Sequence, residues 1–133
     1  MTEKNEINDE YPDNRSTKFS ITLKSNEIII GSSIIMNKCV WLWIGNSGDL
    51  SFGSLNATMP SRFDEIPLAT TLIQSNDENS DNIVRMSQRL SKRFNMQFFV
   101  SCNASGEKIS EIEPKLVEIL NDSLINSKTT TIL

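Results

Sequence analysis

The chain has no histidine. Imidazole acid/base chemistry, Ser-His and Cys-His nucleophile pairs and histidine metal ligands are therefore excluded together. Cysteine is almost as scarce. Cys39 and Cys102 stand alone, which rules out a cysteine-rich zinc site. Each reads as a small buried hydrophobe, with a disulfide between them as the alternative. Positive charge is also short: 13 Lys and Arg against 17 Asp and Glu leave a net charge of −4. The chain thus lacks the basic footprint of a general nucleic-acid binder. No apolar run approaches the ~20 residues that cross a bilayer. The opening stretch MTEKNEINDEYPDNRS is acidic without an apolar core, unlike a secretory signal or a presequence. The expectation is a chain without cofactor or metal, with no nucleic-acid or membrane partner, in the cytoplasm or nucleus.

What is present fits one ordinary globular domain. The 133 residues are 38% hydrophobic and 23% charged, enough to bury roughly two-thirds of the unfolded surface. Residues 1–15 are expected to form a disordered acidic tail, residues 16–127 a single domain and residues 128–133 a flexible C-terminal tail.

Beyond the tail the hydrophobic period is two. KFSITLK alternates Phe19, Ile21 and Leu23 with polar residues, a strand with one polar face. EIIIGSSIIM and KCVWLWIG are apolar on both faces, with Gly31 marking a bulge or a close approach. LSFGSLNATM is a fourth strand, with Leu55, Ala57 and Met59 on one face. Short turns between these four predict an antiparallel meander. Pro60 and Pro67 bracket SRFDEI as a structured loop, and LATTLI adds a short edge strand. Ile83, Met86, Leu90 and Phe94 then follow a helical period. MQFFVSC returns to strand. A last helix near 111–126 carries Pro114 in its first turn and Leu116, Val117, Ile119, Leu120 and Leu124 as its buried stripe.

Strands first and helices late predict an α+β fold: a mainly antiparallel sheet of five or six strands with two helices on one face. Two helices cover one face only. In KCVWLWIG, Cys39, Trp41 and Trp43 share one side and Val40, Leu42 and Ile44 the other. Neither side is polar, so one apolar face is left without cover from this chain. A sheet packed against it from a partner answers the need, and the pattern leaves open which face that is. A domain that closes on itself through a different strand order is the alternative.

Other stretches offer candidate contacts. Trp41 and Trp43 suit a core or a protein interface better than ligand stacking. Arg62, Phe63 and Asp64 lie in the proline-bracketed loop, either as a recognition element or as a local Arg–carboxylate pair above a packed Phe63. Its adjacent carboxylates, Asp64 and Glu65, point apart and make a poor acid/base pair. Arg85, Arg89 and Lys92 or Arg93 form a basic ridge on one helix, either a docking stripe for an acidic partner or an ordinary solvated face.

Three stretches in order, WLWIG (41–45), SRFDEIPLATTLI (61–73) and QRLSKRFNMQFFVSCN (88–103), resemble the proteasome assembly chaperone 4 family. The shared pattern falls on Trp43 and Gly45, on Ser61 to Asp64, Ile66 and Pro67, on Gln88 to Leu90, and on Gln97, Phe99, Val100, Ser101 and Asn103. The resemblance implies a non-catalytic assembly chaperone of the 20S proteasome. It implies pairing with a paralogous proteasome assembly chaperone 3-like subunit through a sheet-on-sheet dimer, with a homodimer open to the chain when alone. It further implies that the dimer binds alpha-type proteasome subunits during alpha-ring formation. Two readings from other classes remain: a permanent adaptor subunit of another cytosolic complex, and a small nucleic-acid-binding domain using the Arg85–Arg93 ridge.

Overall fold

A computed structural model describes residues 15–49, 51, 53–74 and 80–132. The acidic stretch expected to be a disordered tail lies, up to residue 14, outside them. The elements are β1 (Arg15–Thr22), β2 (Ile28–Met36), β3 (Cys39–Asn46), β4 (Leu55–Met59), β5 (Leu68–Ile73), α1 (Ser80–Phe94), β6 (Gln97–Cys102) and α2 (Ile109–Ile132). A single 3-10 turn (Gly106–Lys108) leads into α2. The backbone of α2 stays helical across residues 128–132. Pro114 sits in its second turn, deeper than expected, and its side chain faces solvent.

The strands form one six-stranded sheet in the order β1-β2-β3-β6-β4-β5. It is an α+β fold with a mixed sheet that is mostly antiparallel. The expected four-strand meander is corrected: it stops after β3, and β6 enters between β3 and β4, parallel to the first and antiparallel to the second. The physical reason is visible in QFFVSC, where Phe98 and Val100 face one side and Phe99 the other. A strand apolar on both faces belongs in the middle of a sheet, and a parallel neighbour needs a crossover, which α1 supplies.

Local chemistry shapes each connection. Asn26 and Lys38 adopt left-handed backbone (φ 72° and 62°) in the two hairpin turns of the first three strands. Asn95, at φ 54°, ends α1, with Met96 N–H bonding back to the Ser91 carbonyl at 3.2 Å. The β1–β2 pairing runs in unbroken register through Phe19 opposite Gly31. Gly31 therefore marks a close approach, not a bulge: a side chain there would meet the Phe19 ring at 2.2 Å.

Both helices pack on the face built from Val40, Leu42 and Ile44 of β3 and Phe98 and Val100 of β6. Ile83, Met86 and Leu90 descend from α1, and Ile112, Leu116 and Leu120 from α2. The N-terminal end of α2 is tied to the β1–β2 turn. Lys108 pairs with Glu27, and the Glu111 carboxylate accepts from the Lys24 backbone N–H. Cys39 and Cys102 point to opposite faces of the sheet and cannot bridge one another.

Phe98 is fully buried under the helices at the centre of the sheet. Phe98→Ala is expected to lower unfolding stability by about 3–5 kcal/mol. Urea denaturation followed by tryptophan fluorescence measures this as a shift in midpoint without a change in slope.

Candidate functional site

The helices leave the other side of the sheet without cover among the described residues. Ile28, Ile34 and Met36 of β2, Trp41 of β3, Met59 of β4 and Leu68 of β5 are exposed large hydrophobics on or beside this open face. Trp41 sits at its middle, 38% exposed, stacked on Phe99 of β6 with ring centroids 4.2 Å apart and planes 11° from parallel. The pair exists because the parallel register of β3 and β6 sets Trp41 opposite Phe99. Trp43 lies one row away and half-buried. Burial raises the Cys39 thiol above its usual range, which keeps it a neutral member of the same face.

β4 shows that this arrangement is not incidental. Its apolar side chains, Leu55, Ala57 and Met59, point to the open face, while Asn56 and Thr58 are buried on the helix-covered face. The polar side is fully engaged. The Thr58 hydroxyl lies 3.3 Å from the Ser87 carbonyl oxygen of α1, and Asn56 Oδ1 accepts from Thr71 Oγ1 at 3.1 Å. A strand with its polar side hydrogen-bonded inside and its apolar side on the open face reverses the usual placement of the two. Towards β1 the face becomes polar, through Ser16, Lys18 and Ser20. An apolar centre with a polar rim is the anatomy of a protein interface.

Gly45 and Asn103 shape one end of the face. A side chain at Gly45 would meet Asn103 at 2.6 Å and the Trp43 ring at 2.7 Å. Asn103 Oδ1 accepts from Asn46 N–H at 3.0 Å, and its Nδ2 donates to the carbonyls of Asp49 and Ser51 at 2.9 and 2.7 Å. It latches the turn that follows β3. Sequence reasoning passed over this role, and also over Phe99 as the ring beneath Trp41.

The remaining candidates lie on the far side of the molecule. Phe63 is 95% exposed and does not pack beneath its loop. No ion pair joins Arg62 to Asp64 among the described residues. The loop is stiffened instead by Ser61 Oγ, which accepts from the backbone N–H of both Phe63 and Asp64 at 3.2 Å. Gln88 of α1 donates from Nε2 to the carbonyl of buried Pro67 at 2.9 Å, tying the loop to the helix. At 100° per residue, Arg85 and Lys92 occupy the crest of α1, between Gln88 on one flank and Arg89 on the other.

Arg89 departs from the expected ridge. Its guanidinium makes a two-pronged contact with Glu113 of α2, at 2.6 and 2.9 Å, which holds the Arg89 pKa above its usual value. It joins the two helices and does not stand free for a partner. Arg85, Lys92 and Arg93 remain exposed. Among the described residues no three acidic or cysteine side chains converge on a metal site, and no helix is long and apolar enough to cross a membrane.

These features define a class: a small α+β module with an apolar, uncovered sheet face and, among the described residues, no catalytic constellation beside it. A family model for proteasome assembly chaperone 4 matches residues 29–104, more than half of the chain, and the chain belongs to that family. Its role is that of a non-catalytic proteasome assembly chaperone. The match embraces the open face from β2 to β5, the Ser61–Pro67 loop, α1 and β6, and leaves out β1. In fold the chain is similar to a chain from the crystal structure of a chaperone complex for yeast 20S proteasome assembly. That likeness has a TM-score of 0.59 at 15% identity and covers 84% of this chain and 97% of the other. No curated protein sequence matches the chain.

The shared motifs acquire physical roles here. Gln88 ties the loop, Arg89 clamps α2 and Leu90 enters the core. The Arg89 and Glu113 side chains are 54% and 20% exposed, so Arg89→Ala is expected to cost less than about 1 kcal/mol. Arg89→Glu, which sets two carboxylates together, should cost more than the alanine. Arg85→Glu should change stability by no more than about 0.5 kcal/mol. Chemical denaturation of the three variants under one buffer separates the clamp from the free crest.

Proposed function

We propose that this chaperone pairs through its open sheet face with a paralogous small chaperone, a proteasome assembly chaperone 3-like subunit, and that the pair binds alpha-type proteasome subunits during alpha-ring formation. The observation that carries the pairing is the inverted β4, polar side inward and apolar side outward, continuous with the Trp41–Phe99 stack. Sheet-on-sheet packing about 10 Å deep covers such a face with side chains from both layers and leaves both pairs of helices outside. Obligate interfaces of this kind exceed ~2,000 Å², so the chain without its partner should self-associate.

The alpha-type subunit then falls to the surface that pairing leaves free. The Ser61–Pro67 loop presents Phe63 on a stiff frame tied to α1 through Gln88, and Arg85 and Lys92 are exposed on the crest of that helix. A preorganised loop loses little entropy on binding, and a nearby row of cations steers an acidic partner.

Trp41→Lys is expected to weaken pairing about 30-fold or more, as a desolvated aromatic anchor is lost, without unfolding the chain. Sedimentation velocity of the chain with its co-purifying partner reads this directly, and an unchanged association constant would move the interface elsewhere. Arg85→Glu with Lys92→Glu should leave pairing intact and slow capture of alpha-type subunits at low salt more than at high salt. Affinity purification with mass spectrometry adds the functional arm. Free alpha-type subunits and assembly intermediates should co-purify while mature particles do not; stable co-purification of mature particles, or of another complex, would instead make this chain a permanent adaptor.

A further inference from the structure

The open face is not flat. Across β2, β3 and β6 the register aligns Ser32, Trp43 and Ser101 in one row and Ile34, Trp41 and Phe99 in the next. Serines on both sides of Trp43 lower their row beside a bulky one, and Leu55 of β4 closes the far end. The result is a depression of about 170 Å³ lined by Ser32, Ile34, Trp41, Trp43, Leu55 and Ser101. Its walls are almost wholly apolar. Ser101 is 2% exposed, on the face opposite buried Val100 and Cys102, and its Oγ has no hydrogen-bond partner among the described residues.

We propose that this depression is an anchor pocket for one hydroxyl-bearing aromatic side chain, a tyrosine, projected from the partner's sheet and hydrogen-bonded at its tip to Ser101 Oγ. The proposal rests on the open face being the pairing face and names what the partner must bring there. The volume is close to that of an engineered apolar cavity of about 150 Å³ that holds one benzene ring. A purely aliphatic occupant would leave the Ser101 hydroxyl unpaired and dry, and a charged one would be stripped of water. An aromatic hydroxyl satisfies both demands, with an apolar body for the walls and a single polar tip for the floor. A second copy of this chain does not meet the requirement. Its single tyrosine is Tyr11, and the described part of the sheet face carries none. The pocket thus selects a partner of different sequence over self-pairing.

The full chain, dilute enough to be monomeric, is titrated with phenol and with benzene while the Trp41 and Trp43 indole N–H resonances are followed. Both probes should perturb these resonances. In Ser101→Ala, phenol should bind about tenfold more weakly, the factor one ordinary hydrogen bond supplies, and benzene as before. The same variant should melt no lower than the parent, because a buried unpaired hydroxyl has been removed. Pairing with the co-purifying partner should weaken about tenfold, so that stability and association respond in opposite senses. Ser32→Leu, which fills the mouth of the pocket, should block both probes. Equal phenol binding by parent and Ser101→Ala, or binding of neither probe to the parent, overturns the anchor. If Trp41→Lys abolishes pairing while Ser101→Ala leaves it unchanged, the anchor fails and the pairing face stands. If neither affects pairing, both fail.

Discussion

Everything else in this fold depends on β6 lying parallel to β3 at the centre of the sheet. A parallel neighbour cannot be reached by a tight turn, so the chain crosses over through α1 and lays that helix on one face. The register of the pair then sorts the two most apolar strands. Val40 and Leu42 align with Phe98 and Val100 beneath the helices, while Trp41 aligns with Phe99 on the bare side. One pairing sets the core, the position of α1 and the centre of the open face.

The molecule divides its work by side. Helices satisfy one face, and the buried polar groups of β4 find carbonyl and side-chain partners there, which makes apolar exposure on the opposite face affordable. The open face rests on the core packed beneath it, where Val40, Leu42, Phe98 and Val100 are buried.

Away from the sheet face, polar contacts hold the Ser61–Pro67 loop and α1 in place. Gln88 fixes the end of the loop, Ser61 stiffens its turn, and Arg89 is consumed in holding α1 to α2. The free cations on the crest of α1 are fewer than a row of basic residues suggests: Arg85 and Lys92 remain exposed while Arg89 is paired. Charge on a helix face is available to a partner only after the neighbouring helix has taken its share.

The fold class, the strand and helix segments and the presence of an apolar face beyond the one the helices cover were legible in the sequence, because alternation and helical period report directly which side chains share a face. SRFDEIP was legible as a loop because two prolines bar regular structure at its ends. The strand order was not, since adjacency of β6 to β3 is a pairing between segments more than fifty residues apart, and local pattern carries no record of it. For the same reason the sequence left open whether Trp41 or Leu42 faced inward; only the crossover of α1 decided that. Arg89 looked like a surface cation because Glu113 lies on another helix. The row of Ser32, Trp43 and Ser101 was invisible too, since such rows exist only once three strands are side by side.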